Sequence, residues 1–235
     1  MTDCAAKISA RMHRFSDPGK ARFLQGFFKT GPGQYADGDV FLGVTVPQLR
    51  SLLREYKQLT PVDVLPLLKS PLHEERLFAL LALVRCFEKG DRAARAEIYD
   101  IYLTKTRYIN NWDLVDCSAP RIVGGFLLDQ GRETLYGLAR STSLWERRIA
   151  IMATFTFIRN NQFEDTLQIA RMLLDDREDL IQKAVGWMLR EVGKRVLPAE
   201  EGFLKEHCRV MPRTMLRYAI EKFPKHERQR YLEGF

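Results

Sequence analysis

Apolar residues recur at three- and four-residue spacing along most of the chain, and clean period-2 alternation is nearly absent, so the pattern predicts an all-helical protein. Helices are expected over about 3–14, 19–29, 46–57, 61–69, 73–88, 92–104, 111–130, 132–140, 143–159, 163–174, 178–195, 198–209, 212–222 and 225–232. The stretch 46–57 shows the type, with Val46, Leu49, Leu53 and Tyr56 forming one stripe. The long irregular piece is Thr30–Gly43, TGPGQYADGDVFLG, whose glycines and proline oppose regular structure. A loop of that length inside a compact domain is often functional.

The helices come in pairs. Longer ones starting near Leu72, Ile109, Ser143 and Asp179 recur at intervals of roughly 34–37 residues, each followed by a shorter one, which is close to the spacing of HEAT-like repeats. The fold class expected is all-α, a curved α-solenoid of HEAT-like helical hairpin repeats whose concave side is a groove for an extended partner. Nothing between the repeats has the composition of a linker, so residues 1–235 are expected to form a single domain.

Composition narrows the partners. A chain that is 46% hydrophobic and 29% charged has the balance of a soluble globular protein. The sequence holds no apolar run of the roughly 18 residues that a membrane span needs, and its start, MTDCAAKISARMHRF, lacks a signal-peptide core. No membrane association and a cytoplasmic, nucleoid-associated location are therefore expected. Cys4, Cys86, Cys117 and Cys208 are scattered singly, without CxxC or metal-ligand spacing, and read as small buried hydrophobes; no metal or organic cofactor is implied. The net charge of +7 favours a polyanion held through phosphate contacts.

Three constellations carry candidate chemistry. On a helical wheel, Ile181, Ala184, Val185, Met188 and Val192 form a core stripe, while Lys183, Trp187, Arg190 and Lys194 gather about 120–180° away. A tryptophan among cations suits a nucleotide and its phosphates, although a Trp wedged against a neighbouring repeat gives the same pattern. In NNWDLVDCSAP, Trp112 and Asp116 are four apart and share a helix face, and Pro120 predicts a kink or a new helix start. Asp116 is a candidate catalytic carboxylate; the alternatives are a cap by Asp113 or Asp116, or a pair with an arginine. In LWERRIAIM, Arg148 points into an arc shared with Ile151, Met152 and Phe155, where a guanidinium needs a carboxylate or a phosphate. Arg213 and Arg217 share a face away from Leu216, Ala219 and Phe223 and extend the basic surface.

These segments carry a resemblance. The loop FFKTGPGQYADGDVFLGVTVPQLR, then NNWDLVD followed by AP, LWERRIAI, and IQKAVGWMLREVGK, in that order, resemble the AlkD-like branch of the DNA alkylation repair family along essentially the whole chain. The resemblance implies a monofunctional glycosylase, expected to be a monomer, that binds double-stranded DNA and hydrolyses the N-glycosidic bond of N3- and N7-alkylated purines without flipping the base. By matching motifs, Asp116 takes the catalytic position, Trp112 and Trp187 those of aromatics packing on the lesion's deoxyribose and backbone, and Arg148 that of a DNA-contacting arginine. Phe27, Thr45, Arg50, Arg147, Lys183, Arg190, Lys194, Arg213 and Arg217 are expected to meet DNA, with Phe27 standing where the best-known members carry a Tyr. The chemistry suits these residues: an alkylated purine already carries positive charge and leaves as a neutral base without being protonated, so no acid is needed, and a fixed carboxylate can stabilise the oxocarbenium-like sugar. The alternatives are a non-catalytic relative that binds distorted or branched DNA and a protein-interaction scaffold.

Overall fold

The structure, a computed structural model, describes residues 3–234. These divide into two compact units, one up to Ser118 and one from Ala119 onward. The described residues are helical apart from turns, loops and one isolated β-bridge, as the apolar periodicity requires. Among them no helix is long and apolar enough to cross a membrane.

The first unit contains α1 (Asp3–His13), α2 (Pro18–Phe27), α3 (Val46–Glu55), α4 (Pro61–Leu68), α5 (His73–Lys89), α6 (Arg92–Thr104) and α7 (Trp112–Ala119), with a short 3-10 turn at Thr106–Tyr108. Helix starts follow capping chemistry. Asp17 accepts from the amides of Gly19 and Lys20, both at 3.0 Å, ahead of Pro18, and Thr45 with Gln48 and Thr60 with Asp63 form capping boxes. The central member is α5, against which α3, α4 and α6 pack. Its Phe78, Leu80 and Leu83 are fully buried, as an interior helix flanked on several sides demands.

The second unit opens with Pro120–Gly124, a π turn, and continues through α8 (Gly125–Leu127), α9 (Glu133–Ala139), α10 (Leu144–Arg159), α11 (Glu164–Met172), α12 (Asp179–Gly193), α13 (Leu197–His207), α14 (Arg213–Ala219), a 3-10 turn at Ile220–Lys222, and α15 (Lys225–Glu233). The break expected at Pro120 thus takes the form of a widened turn, which relieves the clash of the proline ring with the preceding carbonyls without ending the helix. Repetition is plainest here: the long helices α10 and α12 pack side by side, and each carries the shorter helix that follows it, α11 and α13. The cysteines do not all behave as core: only Cys208 is buried, and Cys4, Cys86 and Cys117 are partly exposed.

Candidate nucleic-acid site

In the first unit the loop Thr30–Gly43 is ordered by the first turn of α5. Glu74, 2% exposed, accepts from the backbone amides of Leu42 at 2.9 Å, Gly43 at 2.8 Å and Val44 at 3.2 Å. The amide of His73 donates to the Val40 carbonyl at 2.9 Å. Gly43 has φ of 82°, and a Cβ there would sit 2.2 Å from the Asp17 carbonyl oxygen, so only glycine lets the loop close against the start of α2.

The end of this loop delivers Asp39 into a buried polar cluster. His73, itself 2% exposed, bonds through Nδ1 to Asp39 at 3.1 Å and through Nε2 to Asp113 at 2.8 Å. Arg76 donates to Asp39 at 2.5 Å and to the Ser70 carbonyl at 3.0 Å, and Asn111 donates to Asp39 at 3.2 Å. Burial opposes charge on His73, but its hydrogen bonds to Asp113 and Asp39 outweigh that and hold its pKa up at about 9. At neutral pH the ring is therefore protonated and donates from both nitrogens. Burial likewise works against the Asp39 carboxylate, and the bonds from His73 and the charge of Arg76 overcome it, leaving its pKa below the ordinary value. Two carboxylates face two cations, so the cluster is neutral and its polar atoms are largely partnered.

This cluster governs how α7 begins. The Asn111 side chain accepts from the Trp112 amide at 2.8 Å, and its carbonyl accepts from the Val115 amide at 3.1 Å, so a fully buried asparagine caps the helix. Asp113 is held by His73. Trp112, between them, stacks on Phe28 at 5.2 Å and 16° and meets the edge of Phe27 at 6.2 Å. Phe28 in turn stacks on Phe41, and Phe41 on His73 at 4.5 Å. Leu114, Val115, Ser118 and Ala119 are buried, whereas Trp112 and Asp116, one turn apart, are both partly exposed. The spacing did put them on one face. A cleft of about 470 Å³ is lined by Phe23, Leu24 and Phe27 of α2, by Phe41 and Val44, and by Leu77; α7 reaches its lining through Asp113, not through Trp112 or Asp116. Thr45 also lines it, and Arg50 is exposed on α3.

In the second unit the wheel of α12 is as the periodicity predicts: Ile181, Ala184, Val185, Met188 and Val192 are fully buried, and Lys183, Trp187, Arg190 and Lys194 lie outside the core. Gly186 explains part of the GWMLRE segment, since a Cβ there would stand 2.3 Å from the Met215 carbonyl oxygen, so α14 can approach only a glycine. Trp187 is partly exposed, 6.1 Å from the ring of Phe155, with its indole N–H on Glu191 at 3.0 Å. Arg148 is 5% exposed and donates to the Leu180 carbonyl, a backbone acceptor that the sequence could not anticipate. Arg147 pairs with Asp176 at 2.6 Å and Arg190 with Glu221, while Lys183 pairs with Asp179 and Lys194 with Glu191, each at 2.6 Å. Arg213 and Arg217 are exposed and line a cleft of about 560 Å³ together with Lys225 and Arg228.

The sequence pointed to Trp112 and Asp116 but not to Asp39, His73, Arg76, Asn111 and Phe41, which hold their helix turn in place. Those residues come from three segments, 39–41, 73–76 and 111, separated by tens of positions, so no local signal joins the segments.

Stacked helical hairpins define an α-helical repeat protein, whose first unit carries a partly exposed aromatic and carboxylate on one helix and whose second unit carries cations on an otherwise packed helix. The chain belongs to the DNA alkylation repair enzyme family, whose model matches residues 8–223. A solved structure described as a predicted DNA alkylation repair enzyme from Enterococcus faecalis shares the fold, with a TM-score of 0.69 and 18% identity over 89% of this chain and 97% of that one. Among curated proteins, none matches the sequence.

Proposed function

We propose that this protein is a DNA glycosylase that hydrolyses the N-glycosidic bond of N3- and N7-alkylated purines in duplex DNA. The observation that carries this reading is the first turn of α7, where a partly exposed Trp112 and Asp116 share a face and Asn111 and Asp113 are anchored in a buried, neutral network. That network fixes the start of the helix that carries Asp116, and a carboxylate on a fixed scaffold has little to reorganise as positive charge develops, which favours electrostatic stabilisation of an oxocarbenium-like sugar. The alkylated base is cationic before the bond breaks and departs neutral with the bonding pair, without being protonated, so the carboxylate has only to face the sugar, where the positive charge develops, and orient water. The indole face of Trp112 adds cation–π attraction to the same charge.

Trp187 and Arg148 are assigned to the lesion's backbone through their motifs. Among the cations, the exposed Arg50, Arg213 and Arg217 are the ready phosphate ligands. Arg147 and Arg190, 16% and 14% exposed and paired with acids, must give up a bond to serve and contribute less.

The test is release of 7-methylguanine from a methylated duplex by wild type and Asp116→Asn, with DNA affinity measured on the same samples. Release lost by a factor of 100 or more, on the order of one electrostatic stabiliser, with binding retained, supports the assignment. Equal release by both proteins removes Asp116 from the mechanism; no release by wild type despite tight binding turns the reading to a non-catalytic DNA-binding relative.

A further inference from the structure

Two pairs of cations line one cleft of about 560 Å³ in the second unit: Arg213 and Arg217, one turn apart on α14, and Lys225 and Arg228, one turn apart on α15. The same lining holds two carboxylates, and both are engaged elsewhere. Glu221 is taken by Arg190 and by Lys222 at 3.1 Å, and Glu233 accepts from the Gln229 amide at 3.0 Å. Among the described residues none of the four cations forms an ion pair. Two of them are held in place rather than left to wave in solvent. The Arg213 guanidinium is fixed by donation to the Leu232 carbonyl at 2.7 Å, and the Nε of Arg228 is shielded from solvent without a hydrogen-bond acceptor. A buried donor without an acceptor, and like charges gathered in one concavity, each cost free energy that an anion seated there recovers. Guanidinium groups grip phosphate oxygens in bidentate fashion. Four cations in so small a volume call for several negative charges close together, which adjacent phosphates have and an isolated carboxylate lacks.

We infer that the cleft between α14 and α15 is a binding site for a pair of adjacent phosphates, with Arg213, Arg217 and Arg228 as its guanidinium ligands and Lys225 as a fourth charge. The site lies wholly in the second unit and uses neither Trp112 nor Asp116. It goes beyond the proposed activity, for which Arg213 and Arg217 are only exposed cations. The phosphates belong either to a free molecule bearing a diphosphate group or to a DNA strand, and the same chemistry serves both.

The experiment is titration calorimetry of the full chain with inorganic pyrophosphate at low salt, where screening is weak. One pyrophosphate per chain is expected, held more tightly than orthophosphate. Arg217→Gln removes one charge-assisted contact at an exposed position and should weaken binding by about 10- to 150-fold. Arg195→Gln removes the same charge from an exposed position outside the lining and should bind within twofold of wild type. Equal weakening by the two variants, as a diffuse positive potential would give, overturns the inference. So does pyrophosphate that binds no tighter than orthophosphate, or not at all. Repeating the titration on the chain saturated with an unmodified duplex separates the two sources. Pyrophosphate shut out by DNA gives the cleft to a strand's phosphates; pyrophosphate bound beside DNA gives it to a free diphosphate, and either result upholds the site. Failure to excise 7-methylguanine leaves these affinities unchanged, so the site and the glycosylase reading stand or fall separately.

Discussion

Raising the pH should loosen the first unit through a single side chain, His73. Its pKa of about 9 in the folded protein stands above an unfolded value near 6.5, so the folded state keeps a proton that the unfolded chain releases. The stability this represents is fully present below about pH 6.5 and is lost as the pH rises through 9. At roughly 1.4 kcal/mol per pH unit, the difference amounts to about 3 kcal/mol. Burial makes the effect reachable, since His73 is 2% exposed and screened little by solvent. The assay is urea unfolding at pH 6.5, 8 and 9.5, comparing the wild type with His73→Gln, which can still donate a hydrogen bond but cannot take a charge. With Trp145→Phe and Trp187→Phe in both backgrounds, Trp112, stacked on Phe28, is the sole indole reporter and reads the first unit. A slope of about 1–3 kcal/mol per molar urea turns the predicted loss into a midpoint shift of about 1–3 M in the wild type only. If the gap between wild type and His73→Gln is the same at pH 6.5 and 9.5, the doubly bonded imidazolium is not what secures the turn.

Two further changes test the second unit. Gly186→Ala should destabilise it by about 1–3 kcal/mol, because the added methyl meets the Met215 carbonyl and the Tyr218 Cβ at 2.6 Å; a melting temperature within a degree of wild type would contradict the packing. Glu200, 2% exposed in α13, has its pKa pushed by burial up to about 8, so its proton stays on in the folded state and its contribution is lost as the pH rises from about 4.5 through 8. Glu200→Gln should therefore match wild type near pH 5 and exceed it by a few kcal/mol, on the order of the linkage, at pH 8.5; urea midpoints that stay equal at both pH values would refute a neutral carboxyl there.

Local physics settled much of this protein in advance. Helix type and placement were legible because the apolar period is a property of consecutive residues: α6 (Arg92–Thr104) coincides with the expected 92–104, and α12 (Asp179–Gly193) lies within two residues of the expected 178–195. That Trp112 and Asp116 stand one turn apart on one helix followed from helical geometry alone, and the buried stripe of α12 from the same arithmetic. Tertiary structure decided what no run of neighbours encodes. Asp39, His73 and Asp113 meet only because a fourteen-residue loop returns to the start of α5, closed by Gly43 and tied by Glu74. Arg148, which the pattern marked as needing an anion, donates to a backbone carbonyl. The exposure of Phe23 was equally hidden, since its four-residue spacing from Phe27 is that of a buried stripe. Periodicity reports which side chains share a face; whether that face meets a core, a loop or solvent depends on chain segments far away in sequence, whose approach is governed by close packing and by where buried polar groups can find partners.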